Sequence, residues 1–144
     1  KTEEGWCKYT KSKLVNKKYL AKIIATDHEG LQLISAFCAE AKVKTADIKY
    51  LKKNKVFIMS LTRSMNEGDN TKNINSICKF DFVDKVKSKN INQEDSDNIL
   101  KLIVIDYIKN NDNYEITLIF DNNAFITLFT ELIEIRLEDQ NEVK

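Results

Sequence analysis

Only one long stretch of this chain repeats its apolar residues at helical spacing, and nearly everything after it alternates. In "TDHEGLQLISAFCAEA", residues 26–41, Leu31, Ile34, Cys38 and Ala41 fall on one helical face, and Leu33 and Phe37 widen it. The start of the stretch has its own chemistry. Thr26 followed three residues later by Glu29 fits a capping box, and Asp27 and Glu29 complement the positive end of the helix dipole. The acids around His28, the only histidine, therefore have a structural reason to be there. His28 and Cys38 lie ten residues apart, nearly three turns of helix, too far to act as a dyad. The segment reads as the opening of an amphipathic helix, not as a catalytic cluster.

The remaining segments read as strands. Leu20–Ala25 is a short first strand. Val43–Leu51 and Val56–Arg63 form a hairpin through Lys53-Asn54, and "EGDNTKN" reads as an exposed loop. In "SICKFDFVDKVKS", Cys78, Phe80, Phe82 and Val86 share one face, which places Cys78 inward and inert. "ILKLIVIDYIK" is apolar on both faces from Leu102 to Ile105, as in a central strand. "YEITLIF" and "AFITLF" flank Asn122-Asn123, a hairpin loop that pairs Phe120 with Phe125 and Ile116 with Phe129. "TELIEIRLED" fits both periods and is taken as a short helix begun near Thr130. The fold class that follows is α+β. It is a six- to seven-stranded antiparallel curved sheet or small PH-like barrel, packed by one main helix, with a short C-terminal helix. Residues 1–19 form a basic arm and residues 20–144 a single domain.

Composition excludes most chemistry. A 144-residue chain, 42% apolar and 31% charged, is ordinary for a soluble globular protein. No apolar run approaches the roughly 20 residues of a membrane-spanning helix, and the first residues lack the apolar centre of a signal peptide. Lys1 in place of an initiator Met reads as a processed or trimmed start. Cys7, Cys38 and Cys78 are odd in number and widely spaced, which suits a reducing cytoplasm and leaves no zinc spacing. Gly5, Gly30 and Gly68 are isolated, so no phosphate cradle forms. "NQEDSDN" has Asp97 and Ile103 where a calcium loop needs Gly and Glu. Asp84 and Asp106 fall on faces that otherwise point inward, and read as strand ends rather than an acid–base pair. No cofactor, metal or catalytic residue is expected. Lys, Asn and Ile number 21, 15 and 17, the signature of an AT-rich bacterial genome.

Charge is balanced overall at +1 but unevenly placed. Residues 1–22 carry seven lysines against two glutamates, and residues 111–144 carry eight acids against Arg136 and Lys144. The candidate binding surface is Trp6, Lys8, Tyr9, Lys11, Lys13, Lys17 and Lys18, with Tyr19 beside them and Arg63 further along. Aromatics among lysines suit weak contact with RNA or an anionic surface. With only two arginines, both outside this arm, specific DNA recognition is not expected. The leading expectation is a non-catalytic protein- or ligand-interaction module, with an unidentified protein partner or a second copy engaged at an edge strand. The alternatives are binding through the arm and a small carboxylate-dependent enzyme.

The segments "GLQLISAFCAEAKVKTADIKYL", "FDFVDKVKSKNI", "DNILKLIVI", "ITLIF" and "LIEIRLED" together resemble the bacterial domain-of-unknown-function family 2948. The likeness runs from about Leu20 to Asp139, through the helix, the Tyr50-Leu51 turn and the final Ile-Glu segment. It implies a small cytoplasmic bacterial protein of unassigned activity. The family usually carries aromatics after the position of Arg63, where this chain has Ser64 and Met65. The arm before Tyr19 lies outside the likeness.

Overall fold

The computed structural model describes residues 20–67 and 70–143. The helix α1 (His28–Cys38) forms where the spacing predicts, but a different residue starts it. Asp27, not Thr26, is the N-cap, and its Oδ1 accepts the Gly30 amide at 2.8 Å. Leu31, Ile34, Ser35 and Cys38 are the buried face. Just before the helix runs β1 (Lys22–Ala25), and Gly30 sits hard against it. A Cβ on Gly30 would stand 2.8 Å from the Ala25 Cβ and 2.9 Å from its Cα, so only glycine allows this approach.

Nine more strands follow. They are β2 (Lys42–Lys44), β3 (Ile48–Leu51), β4 (Val56–Glu67), β5 (Asn70–Phe80), β6 (Val83–Lys89), β7 (Ile99–Asn110), β8 (Asn113–Phe120), β9 (Phe125–Thr130) and β10 (Ile135–Val143). They join β1 in one antiparallel sheet of order β1-β10-β5-β4-β2-β7-β8-β9-β6, with β3 also on β4. No described helix is long and apolar enough to cross a membrane.

Ten strands among the described residues replace the six or seven expected, for three local reasons. First, the segment 43–51 is broken by a single 3-10 turn, Thr45–Asp47, into β2 and β3. Second, Phe82 adopts a left-handed backbone, with φ 61°, and divides the expected long strand into β5 and β6. Phe82 is accordingly left largely exposed instead of facing inward. Third, the expected C-terminal helix is the strand β10. Ile135, Leu137 and Asp139 alternate inward, and β10 fills the space between β1 and β5. The helical and strand periods were nearly equal there; pairing on both edges decides for the strand. The expected loop after Glu67 also gives way to a long β4–β5 hairpin that pairs as far as Glu67 with Asn70.

Two register details matter. The apolar run 102–105 contains a bulge between Leu102 and Val104, so Leu102 and Ile105 face inward while Ile103 and Val104 face out. The β8–β9 hairpin keeps Asn122 and Asn123 at φ 60° but slips by one residue from the expected pairing. Ile119 meets Phe125, and Ile116 meets Leu128. Buried Ala124 takes the place opposite Phe120, whose amide donates to the Ala124 carbonyl at 2.8 Å. The added loop residue, Asp121, accepts the Lys101 amide at 3.0 Å and ties the turn to β7.

The curled sheet and α1 enclose one apolar cluster, including Leu31, Ile34, Phe57, Phe80, Leu118 and Leu137. Phe57 and Phe80 meet edge to face at 5.8 Å. The helix packs between β1 and β7, and Ser35 Oγ accepts the buried Ile105 amide at 2.9 Å. Gly30→Ala should destabilise the protein by about 1–3 kcal/mol through overpacking on β1, although alanine ordinarily favours a helix by up to about 1 kcal/mol. Urea unfolding followed by circular dichroism checks the sign.

Candidate functional site

Arg63, placed on a binding surface by sequence, is instead buried, with 4% of its side chain exposed. Its partner Asp139 has 0% exposed. Asp139 Oδ1 accepts from Ser76 Oγ at 2.6 Å and from Arg63 Nε at 3.0 Å. Its Oδ2 accepts from the Ala21 amide at 2.8 Å and from the second Arg63 guanidinium nitrogen. The Arg63 guanidinium also lies 5.1 Å from the Phe37 ring centre. Every strong acceptor direction of this carboxylate is filled from within, so the group serves as a clamp and not as a reactive site. The other predicted surface residues, Trp6, Lys8, Tyr9, Lys11, Lys13, Lys17 and Lys18, lie outside the described residues.

The remaining chemical candidates are scattered. His28 stands at the start of α1, 5.4 Å from the Tyr107 ring. Asp84 and Asp106, expected to face inward, are exposed. Asp84 pairs with Lys55 at 3.0 Å, and Asp106 accepts the next amide, Tyr107 N, at 2.8 Å. Cys38 and Cys78 are free and buried. Hydrogen bonding with Cys38, and then burial, push the Cys78 thiol well up, so it stays protonated and unreactive at neutral pH.

Two depressions remain. One, of about 500 Å³, lies on the outer face where the 3-10 turn interrupts pairing along β4. It is lined by Lys42, Thr62, Asn75 and Gln140 together with apolar Leu61, Ile77 and Ile99. The other, of about 460 Å³, separates β3 from β6. Ile48 and Tyr50 form one wall, Val86 and Ser88 the other, with Phe57 and Ile126 beneath.

This second cleft is the stronger site because of its edges. β3 is paired along one side only, with β4, and β6 along one side only, with β9. Among the described residues no strand occupies the space between them. In each strand alternate residues turn their N–H and C=O toward that space. Both ends of the cleft are tied. At one end Tyr50 Oη donates to the Val83 carbonyl at 2.9 Å, and the Val83 amide donates to the Lys55 carbonyl at 2.8 Å. At the other, the loop after β6 meets the turn before β3, where the Thr45 amide donates to the Asn98 carbonyl at 2.9 Å and the Ala46 amide to the Ser96 carbonyl at 3.3 Å. The gap is thus held open between fixed ends.

Its banks are basic. "KYLKKNK", residues 49–55, runs along one side and "KVKSK", residues 85–89, along the other. Asp84 engages Lys55 and holds its ammonium pKa above the usual lysine value, chiefly by their hydrogen bond. Lys85 and Lys87 each lie 5.6 Å from the Phe129 ring centre, on the outer face of β6. Nothing in the local sequence singles out these lysines. Their meeting depends on β6 folding back toward β3, which no local pattern announces.

Arg63→Met alone should cost about 3–5 kcal/mol, because it leaves the Asp139 carboxylate buried without its ion partner. Arg63→Met with Asp139→Leu should cost clearly less than the two single changes added together. A double-mutant cycle in urea measures this coupling.

No curated protein and no solved structure matches the chain. A family model does match, over residues 21–144, a span that contains both the clamp and the cleft and leaves out the arm. By that match over nearly its whole length, the chain belongs to the family described as "Protein of unknown function (DUF2948)".

Proposed function

We propose that this protein is a non-catalytic interaction module that holds an extended segment of a partner protein in the β3–β6 cleft. The observation that carries the reading is the pair of half-paired strand edges facing each other over an apolar floor. An added strand gains main-chain hydrogen bonds from such an edge, and its alternate side chains find pockets below. Residues 85–89 offer about 17 Å of edge, enough for four to six residues of ligand. Groups with acid–base potential do not gather at this cleft. Asp139 is saturated far inside the clamp, and His28 and Asp106 stand with Tyr107, away from β3 and β6. Two unpaired buried thiols support a reducing, cytoplasmic setting for this work.

Random heptapeptides displayed on phage and selected on the protein test the reading. The selected peptides should slow amide exchange in residues 48–50 and 85–89. Val86→Arg, which fills the half-buried wall, should abolish their binding without changing the melting temperature by more than a few degrees. Peptides that bind Val86→Arg as well as the parent overturn it, as does pairing of two β6 edges into a dimer that leaves no peptide bound.

A second reading, weak contact with RNA or an anionic surface through residues 1–19, is supported by Trp6 and Tyr9 among the lysines. Binding there should fall steeply with salt and vanish on deletion of residues 1–18. Binding unchanged by the deletion counts against it.

A further inference from the structure

We infer that the segment held in the cleft is acidic, with Asp or Glu alternating with apolar residues. The inference rests on the cleft reading above and adds the class of partner. Residues 49–55 and 83–89 carry seven lysines and one acid, Asp84. These segments are distant in sequence, yet the ties from Val83 to Tyr50 and Lys55 bring them side by side. Like charges repel over a Debye length of about 8–10 Å, so lysines gathered on facing banks favour an acidic neighbour.

On the β1–β10–β5 side of the sheet, three lysines meet acids. Lys22 faces Glu138 at 3.9 Å, Lys72 faces Glu142 at 3.6 Å and Lys79 faces Asp81 at 3.8 Å. Around the cleft, Asp84 holds Lys55, Lys85 and Lys87 lie over the Phe129 ring of β9, and none of the described ion pairs engages Lys49, Lys85, Lys87 or Lys89. The missing negative charge is the partner's to supply.

The pleat sets the pattern. Val86 and Ser88 line the cleft, whereas Lys85, Lys87 and Lys89 lie on the opposite face of β6. A strand added along β6 follows the same period of two. Its inward residues pack beside Val86 over Ile126, and its outward residues stand beside the lysines. The loop bearing Glu94, Asp95 and Asp97 bounds the far end, so the acids of the ligand belong toward the Tyr50 end.

Single-stranded nucleic acid would also answer the lysines, but it needs aromatic faces to stack on. The rings at the cleft are Tyr50, whose hydroxyl is engaged by Val83, and Phe57, which is buried. That leaves one half-buried ring, Tyr50, which is no platform for a run of stacked bases, and the floor favours aliphatic side chains.

Three capped heptapeptides test the inference on the full chain. They alternate Val with Glu, Val with Gln and Val with Lys, and are titrated while the amide signals of β3 and β6 are followed. The Glu peptide should bind about tenfold or more tighter than the Gln peptide at about 50 mM salt, from three opposite-charge cross-strand pairs. The advantage should shrink severalfold at about 0.5 M salt. Lys85→Glu with Lys87→Glu should turn the preference toward the Lys peptide. Equal binding of Glu and Gln peptides at these strands overturns the acidic class and leaves the cleft reading standing. Shifts at β3 and β6 with the Glu peptide but not with the Lys peptide support the inference, whereas no shift there with any of the three removes the cleft reading itself. An oligouridylate that moves the same amides at lower concentration than the Glu peptide assigns the site to nucleic acid and also overturns the inference.

Discussion

A single buried carboxylate holds the β1 side of this fold together. Asp139 belongs to β10, yet it gathers an arginine from β4, a serine from β5 and the backbone just before β1. The Asp139 amide in turn donates to the Ala21 carbonyl at 2.9 Å. Bringing two charges inside is expensive, and such a pair is tolerable only when each remaining hydrogen-bonding direction is filled. Here they are filled by groups from different strands. Correct stacking of β1, β10, β5 and β4 is therefore the condition for satisfying the carboxylate, and a slipped register would leave it stranded.

The clamp also fixes the helix. Phe37 of α1 lies against the face of the Arg63 guanidinium, while Leu31 and Ile34 enter the common core. At the other end of the helix, Gly30 lets α1 lie directly on β1. One side of the sheet is thus immobilised by an ion pair, a ring contact and a close backbone approach. The cleft lies on the other side, where β3 and β6 are joined only through the ends of the gap. Under the proposed reading, such an arrangement suits capture, because the walls are placed before any ligand arrives.

Much of this architecture was legible in the residues. The helix, its buried stripe and most strands follow from periodicity alone, and the Asn122-Asn123 turn follows from the tolerance of asparagine for positive φ. What was hidden has identifiable causes. β10 was ambiguous because "TELIEIRLED" satisfies two periods, and its choice is made by two distant neighbours. The one-residue slip at the β8–β9 turn depends on Ala124 being small enough to enter the core. Phe82 looked inward because alternation was continued through a residue that in fact turns the chain. Arg63 looked like a surface residue because nothing near it in sequence shows Asp139, 76 residues away. The lysines of the cleft were visible as residues but not as neighbours.

Ser35 has a consequence for how the molecule meets others. Past the short pairing with β2, the outer border of β7 would be open to any passing chain. The hydroxyl of Ser35 takes the hydrogen of Ile105, so the helix stands in for an absent ribbon and closes that border to recruitment. A protein built from so many ribbons needs such stoppers to remain discrete. With this flank corked, the edges still paired on one side only include those of β1, β3 and β6.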